Sequence, residues 1–251
     1  MNQRHLFKII MSYILCVVLF ACDKPDDIIV IETPEPLHAG EIRIKAYPDE
    51  DNKISFIVVS KKITIDWGDD TTEEFTPDGM PEAFVHEYTD QQPKHIIIHT
   101  EEMNAFGAFS MVRMNNVFIH TFGLLEEIIF GKCPHLEEVI LRGNALTRLE
   151  TEEADSLTLL DCSYNLLSAS SLNSLFTSLP STEEGTILFF LNPGSETCDI
   201  NIALSKGWTV RQPDEISVIE AEDEVLINAS TRIFSAFENL LKPIKGIMQK
   251  H

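Results

Sequence analysis

Between Glu41 and Ala108 apolar and polar residues alternate in short runs: EIRIKAY, ISFIVVS, KITIDWGDD, FVHEYTD and HIIIHT, separated by Asp, Asn, Pro and Gly. Successive side chains of a strand point to opposite faces, so Ile63, Ile65 and Trp67 share one face, as do Ile96 and Ile98. Short strands at this spacing predict a β-sandwich over residues 41–110. A second pattern follows, from Asn115 to Asn192. LEEVILRGNALTRL begins at Leu136 and LTLLDCSYNLLSAS at Leu157, so Leu136/Leu157, Val139/Leu160, Leu141/Cys162, Asn144/Asn165 and Leu146/Leu167 pair at a spacing of 21. One step back lies a weaker copy, with Phe118 under Val139, Leu125 under Leu146 and Ile128 under Leu149. Forward, ILFFLN puts Ile187 and Phe189 in the slots of Val139 and Leu141, after an insertion, SLNSLFTSLP, that reads as a helix.

The spacing L-x-x-L-x-L-x-x-N/C-x-L and its period resemble the leucine-rich repeat family, in particular the internalin-like repeats of bacterial surface proteins. Residues at L-x-L point the same way from a strand, and the Asn is placed to close the following turn on backbone groups that no ladder reaches. One such unit cannot bury its apolar edge, so about three or more must stack and flanking sequence must cap them. In the first segment, Ile65-Asp66-Trp67-Gly68-Asp69 with His86-Glu87-Tyr88 resembles the polycystic-kidney-disease (PKD)-like module, Asp70 standing where that family usually has Gly. The resemblance implies a spacer or a carbohydrate-associated accessory domain. Together these readings predict an α+β chain: an N-terminal PKD-like β-sandwich at 41–110, then a short leucine-rich repeat solenoid with a parallel sheet at 111–210.

The N-terminus carries Arg4 and Lys8 and then no charge from Ile9 to Ala21. That run is too short for a membrane-spanning helix, which needs about 20 residues, and reads as a secretory signal over 1–21. Leu19-Phe20-Ala21-Cys22 looks like a bacterial lipobox, in which Cys22 is the lipidation site and the first mature residue. Acyl chains on Cys22 would hold the protein at a membrane without a spanning helix. The acidic, proline-rich stretch at 22–40 is expected to be a tether; acidic residues behind the cysteine resemble the export signals of surface lipoproteins, which implies an outer membrane lipoprotein exposed at the cell surface.

Charge narrows the partners. The chain has a formal net charge of −21, and removal of residues 1–21, with two basic and no acidic side chains, takes it to −23. Such a field repels phosphate, so nucleic acid is excluded as a partner. Asp66, Asp69 and Asp70 suit Ca²⁺ ligands, but Asp side chains in a turn more simply cap backbone N–H groups. His95 and His99 share a strand face and are read as surface residues. No zinc spacing is present, no cofactor is expected, and no nucleophile and base stand in a context with a mechanism, so the chain is not read as an enzyme. Among the cysteines, Cys162 fills an inward slot; Cys133 and Cys198 leave the disulfide pairing open.

Counting back from each Asn gives the outward rows beside the inward leucines: Val117, Glu138, Leu159 and Thr186; Ile119, Ile140, Asp161 and Leu188; Thr121, Arg142, Ser163 and Phe190. The expected ligand-binding face is therefore Ile119, Glu138, Ile140, Arg142, Leu159, Asp161, Ser163, Leu188 and Phe190, an apolar patch with Arg142 and Asp161 for polar definition. A protein or peptide ligand is expected, for adhesion or another surface interaction. A glycan is the alternative, with the β-sandwich and Trp67 as the acting surface, because Phe190 is the lone aromatic of the repeat face. The tail at 211–251 is acidic and then amphipathic: Ile233, Phe237, Leu240, Leu241 and Ile244 recur at helical spacing, with Lys242, Lys245 and Lys250 near the end and Pro243 as a break. It is read as a docking or oligomerising helix, and it is the candidate for an internal cover of the repeat face, the alternative to an external ligand.

Overall fold

The structure, a computed structural model, describes residues 37–100, 102–108, 112–114, 117–119 and 124–211. The predicted signal, Cys22, nearly all of the tether and the tail beyond Arg211 lie outside them. Fifteen strands and two short helices alternate as β1 (Glu41–Tyr47), β2 (Lys53–Ser60), β3 (Ile63–Asp66), β4 (Thr72–Phe75), β5 (Pro81–Glu87), β6 (Lys94–Thr100), β7 (Met103–Gly107), β8 (Val112–Met114), β9 (Val117–Ile119), β10 (Leu124–Phe130), β11 (Glu138–Ile140), β12 (Arg148–Thr151), β13 (Leu159–Asp161), α1 (Ala169–Ser178), β14 (Thr186–Leu188), α2 (Asn201–Leu204) and β15 (Thr209–Arg211).

These strands form two large mixed sheets and one small hairpin. The first sheet runs β12-β10-β1-β6-β3-β4, the second β15-β14-β13-β11-β7-β2-β5, and β8 pairs only with β9. The inward residues of both sheets, among them Ile44, Ile65, Ile98 and Ile128 from the first and Phe56, Phe106, Val139 and Leu160 from the second, meet in one core. The helices close its end. Helix α1 is capped by Ser168, whose side chain accepts from Ser171 N at 3.1 Å, and buries Leu172, Leu175 and Phe176 at the i, i+3, i+4 spacing of one helix face. Pro180 prevents its continuation, and Lys206 Nζ donates to the carbonyls of Thr177 and Leu179 that the helix end leaves unpaired.

The expected α+β fold, a sandwich followed by a separate repeat solenoid, is corrected by this topology. The described residues are rich in strand with only two short helices, and both large sheets draw strands from each side of residue 110. A sandwich is present, but the 21-residue pattern completes it rather than standing beside it. Strand β10 pairs antiparallel with β1, and β11 pairs parallel with β7. The reason is physical: the inward leucines of the pattern have an apolar sheet directly opposite, and one shared core buries more surface than two short ones.

The pattern nonetheless predicts register, at a spacing of 21 between repeats and of 27 across the helical insertion. Glu138, Leu159 and Thr186 lie side by side, as do Ile140, Asp161 and Leu188, and Ile128 pairs with Leu149 on the first sheet. Each Asn of the pattern ties successive rungs together. Asn144 Oδ1 accepts from Leu125 N at 3.1 Å, Asn165 Oδ1 from Leu146 N at 3.0 Å and Asn192 Oδ1 from Leu167 N at 2.9 Å. Their amides donate to shared carbonyls: Leu141 O receives Asn144 and Asn165, and Cys162 O receives Asn165 and Asn192. The residue before each Asn is in the left-handed region, Gly143 at φ 76°, Tyr164 at 55° and Leu191 at 56°. Glycine adopts this freely, whereas Tyr and Leu there cost about 1 kcal/mol or more.

Candidate functional site

The two sheets differ on the sides that face away from the shared core. Alternation along β2 sends Ile54, Phe56 and Val58 into that core and Ser55, Ile57 and Val59 outward. The outward row of the second sheet continues through Ala105 and Gly107 on β7, Glu138 and Ile140 on β11, Leu159 and Asp161 on β13, and Leu188 on β14. Ile57 is 3 % exposed, Val59 1 %, Ala105 1 % and Ile140 1 %.

Of the predicted ligand-binding residues, Ile140, Leu159, Leu188 and Phe190 do come together, as a cluster separate from the central core. Their predicted exposure does not hold, since Leu159, Leu188 and Phe190 are also buried. Among the described residues Tyr164 packs against the cluster, while α1 and α2 bury their apolar residues on the opposite side, in the central core. Ile119 is displaced from the row. The weak copy of the pattern predicts Val117–Ile119 beside β11, but β7 takes that place, with Phe106 opposite Val139 and Gly107 opposite Ile140. Ile119 lies instead in the β8–β9 hairpin, because the stretch between Ala108 and Leu124 is an insertion between β7 and β10.

At the end of the strands the polar members assemble around one arginine. Ser163 Oγ donates to Asp161 Oδ1 at 2.5 Å, Ser163 N donates to the same oxygen at 3.0 Å, and Arg142 Nε donates to Ser163 Oγ at 3.1 Å. Asp161 Oδ2 faces Arg142 Nε at 3.3 Å in an ion pair yet takes no hydrogen bond, although Asp161 is wholly buried. The Arg142 guanidinium stands over the rings of Phe190 and Tyr164, 5.2 and 5.4 Å from their centroids, and those rings meet edge to face. This contact accounts for a tyrosine in the left-handed position that glycine fills one repeat earlier. Glu138, at the other end of the row, is half-buried. Tyr164 is the member that row-counting omits; its slot precedes the Asn and carries no signal of facing outward.

The other candidate surface is the turn between β3 and β4. Asp66 Oδ1 accepts from Gly68 N at 2.9 Å, and Asp69 Oδ1 accepts from Thr71 N at 3.2 Å and Thr71 Oγ1 at 2.5 Å. The carboxylates therefore brace the turn. Gly68, at φ 74°, is required there, since a Cβ would sit 2.3 Å from His95 O. His86 Nε2 meets Asp69 Oδ2 at 2.8 Å and its ring stacks on Trp67 at 4.8 Å; Tyr88 Oη donates to Trp67 O at 3.0 Å. Burial alone would raise the Asp69 carboxyl, but the hydrogen bonds from Thr71 and His86 outweigh it and hold the group below the usual range. Trp67 is wholly buried. His95 and His99 are exposed on the first sheet, and no group of three or more His, Cys, Asp or Glu among the described residues is placed to hold a metal ion.

Cys133, Cys162 and Cys198 are free thiols. Cys162 does pack in an inward leucine slot, where burial pushes its thiol well up; burial also pushes the Cys133 thiol up to about 11. No helix among the described residues is long and apolar enough to cross a membrane. Fold and site thus define a class, a two-sheet β protein with an apolar outer face on one sheet and an aromatic-flanked arginine at that face's rim. No protein-family model, curated protein or solved structure matches the chain.

Proposed function

We propose that this is a non-catalytic binding protein of the bacterial cell envelope, held to a membrane by lipid on Cys22, that captures a protein or peptide on the outer face of its second sheet. One observation carries the reading: a row that crosses five strands, Ile57, Gly107, Ile140, Asp161 and Leu188, apolar but for the Arg142-paired Asp161, on the side of the sheet away from its core. Solvent-facing sheet sides are ordinarily polar, and an apolar one is a contact surface. The N-terminal sequence supports the anchor and the envelope location, with the outer membrane and the cell surface as the address, and the strongly acidic balance turns nucleic acid away. Arg142, with Phe190 and Tyr164 against it, is the anchor to which a partner's carboxylate or carbonyl would align, since aromatic residues and Arg dominate binding energy at such sites. A glycan acting through the sandwich lacks its platform, because Trp67 has no exposed ring face.

The test is a selection of random 12-residue peptides on the full chain with Cys22→Ser. Enriched peptides are expected to lose at least ten-fold in affinity for Arg142→Ala and to keep it for His99→Ala on the first sheet. Equal binding to all three proteins sinks the assignment. Protease shaving of intact cells carrying the full-length protein tests the address, with cleavage expected.

A further inference from the structure

Ile140, Leu159, Leu188 and Phe190 are 1 %, 5 %, 6 % and 7 % exposed, although Tyr164 is the described hydrophobic side chain packed on them. Side chains on an open sheet side keep much more of their surface, so this face is covered. The end of the described chain points to the cover. Strand β15 is the edge of the same sheet, and Arg211, its last residue, stands beside Leu188 in the register. Forty residues follow, of which 212–230 alone can reach some 60 Å at about 3.3 Å per residue. The whole row from β2 to β14 is about 19 Å wide, four spacings of about 4.8 Å.

The sequence of that segment fits the face. Ile233, Phe237, Leu240 and Leu241 form one stripe at helical spacing; at about 1.5 Å per residue the stripe is roughly 12 Å long. From β11 to β14, the strands that carry the cluster, is about 9.6 Å. Charge agrees: residues 231–251 carry four basic and one acidic side chain, net +3, against −24 for the rest of the chain.

We propose that residues 231–245 dock their apolar stripe on the Ile140–Leu159–Leu188–Phe190 cluster of the same chain. Resting on the function proposed above, it follows that an external partner must displace this segment, and that the partner offers the same chemistry, an amphipathic helix with an i, i+4, i+7, i+8 apolar stripe flanked by lysines. The tail then sets the threshold for capture, since only ligands that outbind an intramolecular competitor at high effective concentration gain the face.

Two measurements on the full chain with Cys22→Ser decide it, neither needing a partner. A benzophenone amino acid in place of Phe237 is expected to cross-link within the monomer to peptides containing Ile140, Leu159 or Phe190; cross-links elsewhere in the chain, or only between two copies, overturn the proposal. Amide hydrogen exchange in Phe237→Glu/Leu241→Glu is expected to quicken at least ten-fold over 138–141 and 186–190 and to stay unchanged over 96–98. Unchanged exchange throughout overturns it. Should exchange quicken everywhere because the variant unfolds, the cross-link decides. Docking found together with failed peptide selection removes the proposed function and leaves the docking intact.

Discussion

The two large sheets share one core but present opposite outer sides. On the first, Arg43, Lys45, His95, His99, Glu127 and Arg148 face outward, laced by ion pairs such as Lys45–Glu126 at 2.9 Å and Arg148–Glu150 at 2.8 Å. On the second, the corresponding positions are Ile57, Val59, Ala105, Ile140, Leu159 and Leu188. A charged outer side hydrates well and contributes little to stability, since exposed pairs are worth less than about 1 kcal/mol. An apolar one has meaning only if something lies on it. The second sheet also holds the parallel run β7-β11-β13-β14-β15, with its turns pinned by asparagines, so the side proposed for contact is built on the more rigidly cross-tied strands.

The sharpest way to break that comparison is to cut the cross-ties. Asn165→Ala leaves the buried Leu146 N without its acceptor and removes the two amide N–H groups shared among Leu141 O, Cys162 O and Ser163 O. An orphaned buried N–H costs about 1–3 kcal/mol and each lost hydrogen bond about 1, with partial relief because those carbonyls keep other donors. The expected loss is about 3–4 kcal/mol in chemical denaturation. A change on the first sheet's outer side, His99→Ala, is expected to stay within about 0.5 kcal/mol. Equal losses would mean that the asparagines do not carry the parallel half.

A matched pair of isoleucines comes next. Ile140 on the second sheet and Ile129 on the first both point away from the core, but Ile140 is 1 % exposed whereas Ile129 is half-buried. Ile140→Ala is expected to cost about 2–3 kcal/mol, as for a residue inside a core, and Ile129→Ala about 1 kcal/mol or less. Similar values for the two in equilibrium denaturation would show that the second sheet's outer side is no more covered than the first's.

Much of this arrangement is legible in the sequence, and what is not has identifiable causes. A repeat pattern is a local property, so it predicts which residues stand side by side: Ile140 beside Asp161 at a spacing of 21, and Asn144, Asn165 and, 27 residues on across the helical insertion, Asn192 in equivalent turns. The residues of the Asp66–Asp70 turn are likewise local, and their bracing role follows from side chains that reach backbone two residues on. Strand pairing over long separations has no such mark. Phe106, not Phe118, stands beside Val139, at an offset of 33 that no repeat announces, because an insertion between β7 and β10 carries Val117–Ile119 away. Nor does alternation say which sheet a strand joins, and so β10 beside β1 and β11 beside β7 emerge only from the pooling of two apolar surfaces into one core. That Ile140, Leu159, Leu188 and Phe190 share one face was legible in composition and register. Its burial was not, because burial depends on whatever packs over the face.

The smallest expected effect lies at a seam between the sheets. Asp69, in the turn of the first sheet's β3 and β4, bonds His86 on β5 of the second, and Tyr88 just beyond β5 bonds Trp67 O. The folded protein holds the Asp69 carboxyl below its ordinary value, which in an unfolded chain is about 3.9. A group with a depressed folded pKa stabilises fully at pH values above the unfolded pKa. The contribution shrinks as pH falls through about 4 toward the folded value, and vanishes below it. Asp69→Asn is therefore expected to lower Tm by about 2 °C at pH 7 and by progressively less as pH falls below about 4, a size typical of a partly exposed pair in a domain of this length. A Tm difference between the two proteins that stays constant from pH 7 to pH 2 would show that the ionised carboxylate does not bind the seam. In that case Trp67, stacked on His86 and held by Tyr88, joins the sheets by packing and neutral hydrogen bonding alone.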